Sequence, residues 1–156
     1  MTSTKAELVA SILAELARQK RRLEHAAREA HAAATDPDAK AESKYDTRSL
    51  EASYLAAGQA QQVESLAEAI RLFETTRFPD FEIDDPVGPG ALVELTDDDG
   101  HPAWYLLAPA AGGMELEFEG AELTVLTPDT QLYSELIGKT TGDILASPEA
   151  TITEVR

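Results

Sequence analysis

The hydrophobic positions in the first part of the chain recur with a helical period. Between Lys5 and Ala34 the apolar residues follow a seven-residue repeat. The repeat consists of Val9, Ile12, Leu16, Leu23, Ala26, Ala30 and Ala33, with Gln19 as its one polar member. This pattern predicts one long amphipathic helix, with bulky residues near its start and alanine toward its end.

A second helix is predicted from about Asp46 to Thr76. Bulky residues occupy its later part and small residues the same stripe nearer its start, namely Val63, Leu66, Ile70 and Phe73, and Ser49, Ala52 and Ala56. Between the helices, Thr35-Asp36-Pro37-Asp38 favours a turn, because proline lacks an N–H and Asp and Thr compete for backbone hydrogen bonds. We therefore predict an antiparallel two-helix coiled-coil hairpin over residues 1–78, with its tip near residues 35–46.

After residue 79 the hydrophobic period changes to two. Strands are predicted at 91–95, 103–107, 114–118, 121–126 and 150–155, and a short helix at 131–136. The turn Asp97-Asp98-Asp99-Gly100 joins the first two strands into a hairpin. Residues 79–156 are thus expected to form a small, mostly antiparallel β domain with one short helix, and the whole chain to be an α+β protein.

Charge separates the two halves of the sequence. The chain of 156 residues has a net charge of −16, and residues 80–156 contain 17 acidic residues against Lys139 and Arg156 as their basic residues. Such an acidic surface repels nucleic acid and favours a basic partner, so independent DNA binding is not expected. The chain has no cysteine, which excludes disulfides, a thiol nucleophile and thiolate zinc sites. His25, His31 and His101 have no partners at metal-ligand spacing, and no metal role is expected for them.

The sequence also predicts a cytoplasmic protein without membrane contact. The apolar stretch from Leu8 to Leu13 is too short for the core of a signal peptide, and no window approaches the roughly 20 apolar residues of a membrane-spanning helix. We expect a monomer.

Three segments of the second half form a pattern. They are Val87-Gly88-Pro89-Gly90-Ala91-Leu92-Val93, then Leu123-Thr124-Val125-Leu126-Thr127-Pro128-Asp129-Thr130, then Leu136-Ile137-Gly138-Lys139 with Gly142-Asp143. This pattern resembles the bacterial GreA/GreB family of transcript-cleavage factors. The resemblance implies an FKBP-like β domain that docks on the rim of the secondary channel of bacterial RNA polymerase. It also implies contacts through Thr127, Pro128, Thr130 and Gln131, with the helical hairpin entering the channel.

The predicted tip is similar to the acidic tip motif of that family. Residues Asp38-Ala39-Lys40-Ala41-Glu42-Ser43-Lys44-Tyr45 align with Asp-Leu-X-Glu-Asn-Ala-Glu-Tyr, so that Asp38 and Tyr45 match. Ala41 and Lys44 stand where the family has acids, and Glu42 lies one position from the first of these. The resemblance implies that Asp38, with Glu42 as replacement partner, helps hold Mg²⁺ jointly with the polymerase, and that Tyr45 contacts the partner.

The activity implied by this resemblance is assistance to another enzyme. The chain would stimulate the intrinsic endonucleolytic activity of RNA polymerase on backtracked transcripts and would have no activity alone. The changed tip keeps open a non-cleaving regulator or inhibitor of the polymerase, and a coiled-coil adaptor is a third reading. Peptidyl-prolyl isomerase activity, which an FKBP-like topology raises, is not expected, because the few aromatic residues are needed in the core.

A run of basic residues on the first predicted helix has two interpretations. The run comprises Arg18, Lys20, Arg21, Arg22 and Arg28. It either faces nascent RNA or acidic channel walls, with Arg21 and Arg22 as contacts, or forms a solvated face paired with the glutamates of the same helix.

Overall fold

The structure is a computed structural model, which describes the backbone of residues 4–34 and 48–156 and the side chains of residues 4–33 and 57–156. Two long helices come first, α1 (Lys5–Ala34) and α2 (Arg48–Thr75). The sheet-forming part follows, with β1 (Leu92–Asp97), β2 (Pro102–Leu107), β3 (Glu115–Phe118), β4 (Ala121–Leu126), α3 (Gln131–Leu136), β5 (Ile144–Ala146) and β6 (Glu149–Val155). The sequence predicted α1, β4 and α3 with these same bounds.

Helix α1 begins with a reciprocal capping arrangement. The Glu7 N–H donates to Thr4 Oγ1 at 3.1 Å, and the Thr4 N–H donates to Glu7 Oε2 at 2.8 Å. Two N–H groups that the helix itself leaves without acceptors are thereby satisfied, which fixes the start of α1.

The buried stripe of α1 differs in part from the predicted seam. Leu8, Ile12 and Leu16 are almost fully buried, whereas Val9 is half-buried and Ala33 is exposed. The buried residues are spaced by four, as on a regular helix, while the seven-residue repeat selected Val9 and omitted Leu8.

The chain divides into two compact units. One contains Met1–Ser11 and Leu72–Arg156, and the other contains Ile12–Arg71. The first turns of α1 and the last turn of α2 therefore belong to the unit that contains the sheet. The antiparallel pairing of the two helices and the domain boundary after residue 78 stay predictions.

The six strands form one mixed sheet in the order β3-β4-β2-β1-β6-β5. Four neighbouring pairs are antiparallel, and β2 and β4 are parallel, with Trp104 opposite Leu123. The prediction of a mostly antiparallel sheet is confirmed, and the β2–β4 pair is the exception that the sequence did not predict. The chain passes from β2 to the outer strand β3 and returns as β4 between them, which makes β4 run parallel to β2. The edge strand β5 was not predicted, since its three residues are too few to show a period.

A cluster of buried hydrophobic residues lies between the sheet and α3. It includes Val93, Leu95 and Leu107 from the strands and Tyr133 and Leu136 from α3. At alternate positions of the sheet, Trp104 packs edge-to-face on Phe118 with ring centroids 5.2 Å apart. No helix in the described ranges, 4–34 and 48–156, is long and apolar enough to cross a membrane; the cytoplasmic location stays a prediction.

Candidate functional site

The segments that carry the family resemblance lie against one another. The Val87 N–H donates to the Lys139 carbonyl at 2.7 Å, and the Gly138 N–H donates to the Val87 carbonyl at 2.8 Å. Asp143 Oδ2 accepts the Thr140 N–H at 2.9 Å, which closes the turn between Lys139 and Asp143. The two glycine-containing motifs, about 50 residues apart in sequence, thus form one hydrogen-bonded substructure beside α3.

The segment from Thr127 to Gln131, expected to contact a partner, is a turn that leads into α3. The Thr130 N–H and hydroxyl both donate to the Thr127 carbonyl, at 3.0 and 2.8 Å, and the Thr127 hydroxyl donates to the Asp129 carboxylate. Pro128 and Gln131 are exposed, and Gln131 Nε2 donates to Glu135 Oε1 at 2.9 Å. The turn has a defined shape and presents exposed side chains, which suits it to partner contact.

The basic run of α1 is paired in part with a glutamate of the same helix, and its contact with RNA or channel walls stays a prediction. Arg18 and Arg22 pair with Glu15, with N···O distances of 2.7 and 3.3 Å. Hydrogen bonds from Arg18 and Gln19 lower the pKa of the Glu15 carboxyl. Arg21 is exposed and has no ion-pair partner among the described side chains. An open concavity of about 360 Å³ is lined by Arg18, Arg21, Arg22 and His25. This face therefore keeps unneutralised positive charge beside its internal pairs.

The acidic hairpin turn between β1 and β2 groups three side chains that could ligate a metal. Ligand atoms of Asp97, Asp99 and His101 lie within 4.8 Å of one another, and all three residues are exposed. This grouping corrects the expectation that His101 has no ligand partner. Asp97 Oδ1 already accepts the N–H groups of Asp99 and His101 at 3.0 and 2.8 Å, which lowers the pKa of its carboxyl. Shaping of the turn accounts for this cluster.

Lys5 is a buried structural position that the sequence pattern did not predict, because lysines are normally exposed. Its ammonium donates to the carbonyls of Pro79, Gly90 and Arg156, the last two at 2.9 and 2.8 Å. It also lies 5.0 Å from the centroid of the Phe81 ring. Burial lowers the pKa of Lys5 to about 8, and the nearby carboxylate of Asp80 opposes that shift. Lys5 thus ties the first turn of α1 to three separate points of the sheet unit.

The predicted tip residues Asp38, Glu42 and Tyr45 lie outside the described residues. Their roles stay predictions. The described parts of the candidate site are therefore the basic face of α1 and the turn at the start of α3.

Comparisons with known proteins give a weak similarity to a solved structure. No protein-family model and no curated protein matches the chain. Among solved structures, it is similar to GreA factor homolog 1 (Gfh1) of Thermus thermophilus, with 16% sequence identity and a TM-score of 0.37. That similarity covers 92% of this chain and 94% of the Gfh1 chain. At this identity and TM-score, the similarity by itself assigns no function.

Proposed function

We propose that this chain binds the secondary channel of bacterial RNA polymerase and stimulates cleavage of backtracked transcripts. The observation that supports it most is the joining of the two motifs around Val87 and Lys139 by reciprocal backbone hydrogen bonds. These motifs carry the resemblance to GreA/GreB factors, and their contact makes a chance match between unrelated turns a poorer explanation.

In this proposal the chemistry belongs to the carboxylates at the tip. Asp38 and Glu42 supply hard oxygen donors, which suit Mg²⁺ held jointly with the polymerase. The ion, when bound, supplies charge stabilisation for hydrolysis of a phosphodiester. Asp38 acts as a ligand, and Glu42 orients water or accepts its proton.

The remaining contacts position the factor. Arg21 and Arg22 provide positive charge on α1, suited to nascent RNA or to acidic channel walls. The turn with Thr127, Pro128, Thr130 and Gln131 contacts the channel rim, and Tyr45 contacts the polymerase near the tip. The factor acts as a monomer and relies on the polymerase for its active centre.

Transcript cleavage in a stalled, backtracked bacterial elongation complex with Mg²⁺ tests this proposal. The chain should accelerate cleavage, and Asp38→Asn should reduce that acceleration by about 100-fold, as expected for loss of a group that acts directly in the reaction. Glu42→Gln should also reduce it, whereas Asp36→Asn, a neighbouring acid outside the aligned motif, should not. Equal activity of the Asp36 and Asp38 variants would refute the proposed role of the tip.

A second candidate is a regulator that occupies the channel without cleavage. The observation in its favour is that Ala41 and Lys44 replace two acids of the family motif. This candidate predicts that the chain binds polymerase and slows elongation while the cleavage rate stays at its basal value. Failure to bind polymerase at all would contradict both candidates and favour an unrelated adaptor.

A further inference from the structure

Strand β3 forms one edge of the sheet, and its outward side is open to a further strand. The Val125 N–H of β4 donates to the Met114 carbonyl at 2.9 Å, just before β3 begins. Backbone groups of successive residues in an antiparallel strand point to opposite sides, so those of Leu116, opposite Leu123, face β4 as well. The N–H and carbonyl groups of the alternate residues, at positions 115 and 117, therefore point away from the sheet and can pair with an incoming strand.

The β3–β4 hairpin carries three exposed carboxylates, those of Glu115, Glu117 and Glu122. Glu117 stands directly opposite Glu122, and like charges at opposed positions destabilise a sheet. Among the described side chains, none of the three carboxylates has an ion-pair partner. An open concavity of about 490 Å³ at this hairpin is lined by Glu115, Leu116, Glu117, Gly120, Ala121 and Glu122. The lining thus contains negative charge and no base to neutralise it.

The negative charge of the hairpin acts on the neighbouring strand as well. Tyr105 of β2 lies opposite Thr124 of β4. Burial raises the pKa of the Tyr105 hydroxyl, and the carboxylate of Glu122 adds to that rise. The surface beside the β3 edge is therefore suited to a cationic side chain.

The charges at the edge also limit which strand can pair with it. A second copy of β3 would bring further glutamates against Glu115 and Glu117, and glutamates at a sheet edge are a known means of keeping copies apart. Side chains alternate along a strand, so Glu115 and Glu117 lie on the same face of the sheet. A strand with Lys or Arg at every second residue would place its cations on that face, beside both carboxylates.

We propose that the β3 edge binds an extended peptide segment with Lys or Arg at alternate positions, which adds to the sheet as a further strand. The outward backbone groups of Glu115 and Glu117 pair with the segment, and the carboxylates of the hairpin select its charge. The inference does not depend on the proposed function, because neither the tip nor the turn after Thr127 takes part in it.

Peptide binding to the full chain, measured by fluorescence anisotropy, tests the strand pairing. The probe is a labelled, capped peptide of alternating lysine and valine, which should bind, whereas a peptide of alternating glutamate and valine should not. Two further probes carry backbone N-methyl groups, one on all lysines and the other on all valines. In a paired strand only one of these two sets of N–H groups faces β3, so one probe should bind at least about tenfold more weakly than the other. Equal binding of the two N-methylated probes would show that charge alone attracts the peptide and would overturn the proposal.

Substitutions in the protein test whether the carboxylates of the edge select the peptide. Glu115→Gln combined with Glu117→Gln should raise the Kd of the lysine–valine peptide about tenfold, since two exposed ion pairs are lost. Glu82→Gln combined with Glu149→Gln is the matched control, because these exposed glutamates lie outside the hairpin and the change in net charge is the same. Its Kd should stay within about twofold of the unsubstituted value. Urea midpoints from Trp104 fluorescence should show that both variants are folded.

Two results with these variants would overturn the proposal. Equal losses in the two double variants would mean that the net charge of the chain, and not the β3 edge, attracts the peptide. Absence of peptide binding, together with self-association of the Glu115 and Glu117 double variant in sedimentation velocity, would mean that the edge glutamates only keep copies of the chain apart.

Discussion

The buried ammonium of Lys5 should contribute measurably to the stability of the sheet unit. Lys5→Met keeps most of the aliphatic stem and removes the donor to three backbone carbonyls. The carbonyl of Gly90 is the buried one of the three, and loss of a partner by a buried acceptor costs about 1–3 kcal/mol. The Arg156 carbonyl keeps the Leu92 N–H as a donor at 2.9 Å, so it adds less. Lys5→Met also removes the cost of burying a charged group, and this offsets part of the loss. The net destabilisation should therefore be about 2 kcal/mol.

Urea unfolding followed by fluorescence of Trp104 measures this change, because this single tryptophan is buried in the same compact unit as Lys5. Lys20→Met is the control, since Lys20 lies on the same helix and pairs at the surface with Glu24, with an N···O distance of 3.0 Å. Loss of such a pair costs about 0.3–0.5 kcal/mol. If Lys5→Met destabilises the protein no more than Lys20→Met does, the three-carbonyl contact contributes nothing and the reasoning is refuted.

The pH dependence of the same comparison tests the charge state of Lys5. Burial lowers the pKa of Lys5 in the folded protein to about 8, from an ordinary value of 10.5. Between these two pH values the unfolded chain binds more protons than the folded one, so the free energy of unfolding rises with pH through Lys5. The difference between the unsubstituted protein and Lys5→Met should therefore be constant below pH 8 and grow in favour of the unsubstituted protein toward pH 10.5. A difference that falls over this range would contradict the lowered pKa.

Three further substitutions test the packing and charge pairing of the sheet unit by the same urea assay. Gly90→Ala places a Cβ 3.0 Å from a backbone carbonyl at a φ of +86°, whereas Gly100→Ala meets open space at a φ of +83°. For alanine, the left-handed conformation alone costs about 1–2 kcal/mol. Gly100→Ala should therefore destabilise the protein by about 1 kcal/mol, and Gly90→Ala, which adds the clash with backbone, by about 3 kcal/mol. Equal effects of the two substitutions would contradict the clash at Gly90. Arg156→Lys removes the paired hydrogen bonds of the guanidinium to the Glu119 carboxylate and its contact with the Trp104 ring, whose centroid lies 4.9 Å away. The free energy of unfolding should fall by about 1 kcal/mol, and by less in high salt. A loss that does not depend on salt would indicate that packing, and not charge, stabilises this contact.

Hydrophobic periodicity predicted most of the secondary structure because each long element shows many repeats of its own period. α1 spans 30 residues, and both of its ends match the prediction. β5 has three residues and shows no period, and the parallel pairing of β2 with β4 depends on strand order, which periodicity does not encode. The burial of Lys5 was not predicted for another reason. Its hydrogen-bond acceptors are backbone carbonyls, and the sequence does not show where these lie. The spacing of four from Leu8 to Leu16 was present in the sequence and identifies the buried stripe.

The candidate site was less predictable, because exposed functional residues obey no packing rule. The resemblance supplied Asp38, Glu42 and the turn after Thr127, whereas periodicity alone gave none of them. The exposure of Ile144 was not predicted either, since an isoleucine on a strand is expected to be buried until the sheet edge is known.

The motifs that suggest the family are constrained mainly by folding. Gly90 stands where a side chain would collide with backbone, and Gly138 and Gly142 have φ angles of 82° and 95°, which favour glycine. Such positions indicate which fold the chain adopts, and substitutions there are expected to change stability first. Under the proposed function, exposed side chains such as Pro128 and Gln131 are not required by the fold, and their substitution is expected to change polymerase binding while stability stays constant. Loss of function with unchanged urea midpoint at these exposed positions is therefore the result that would tie this fold to the proposed function.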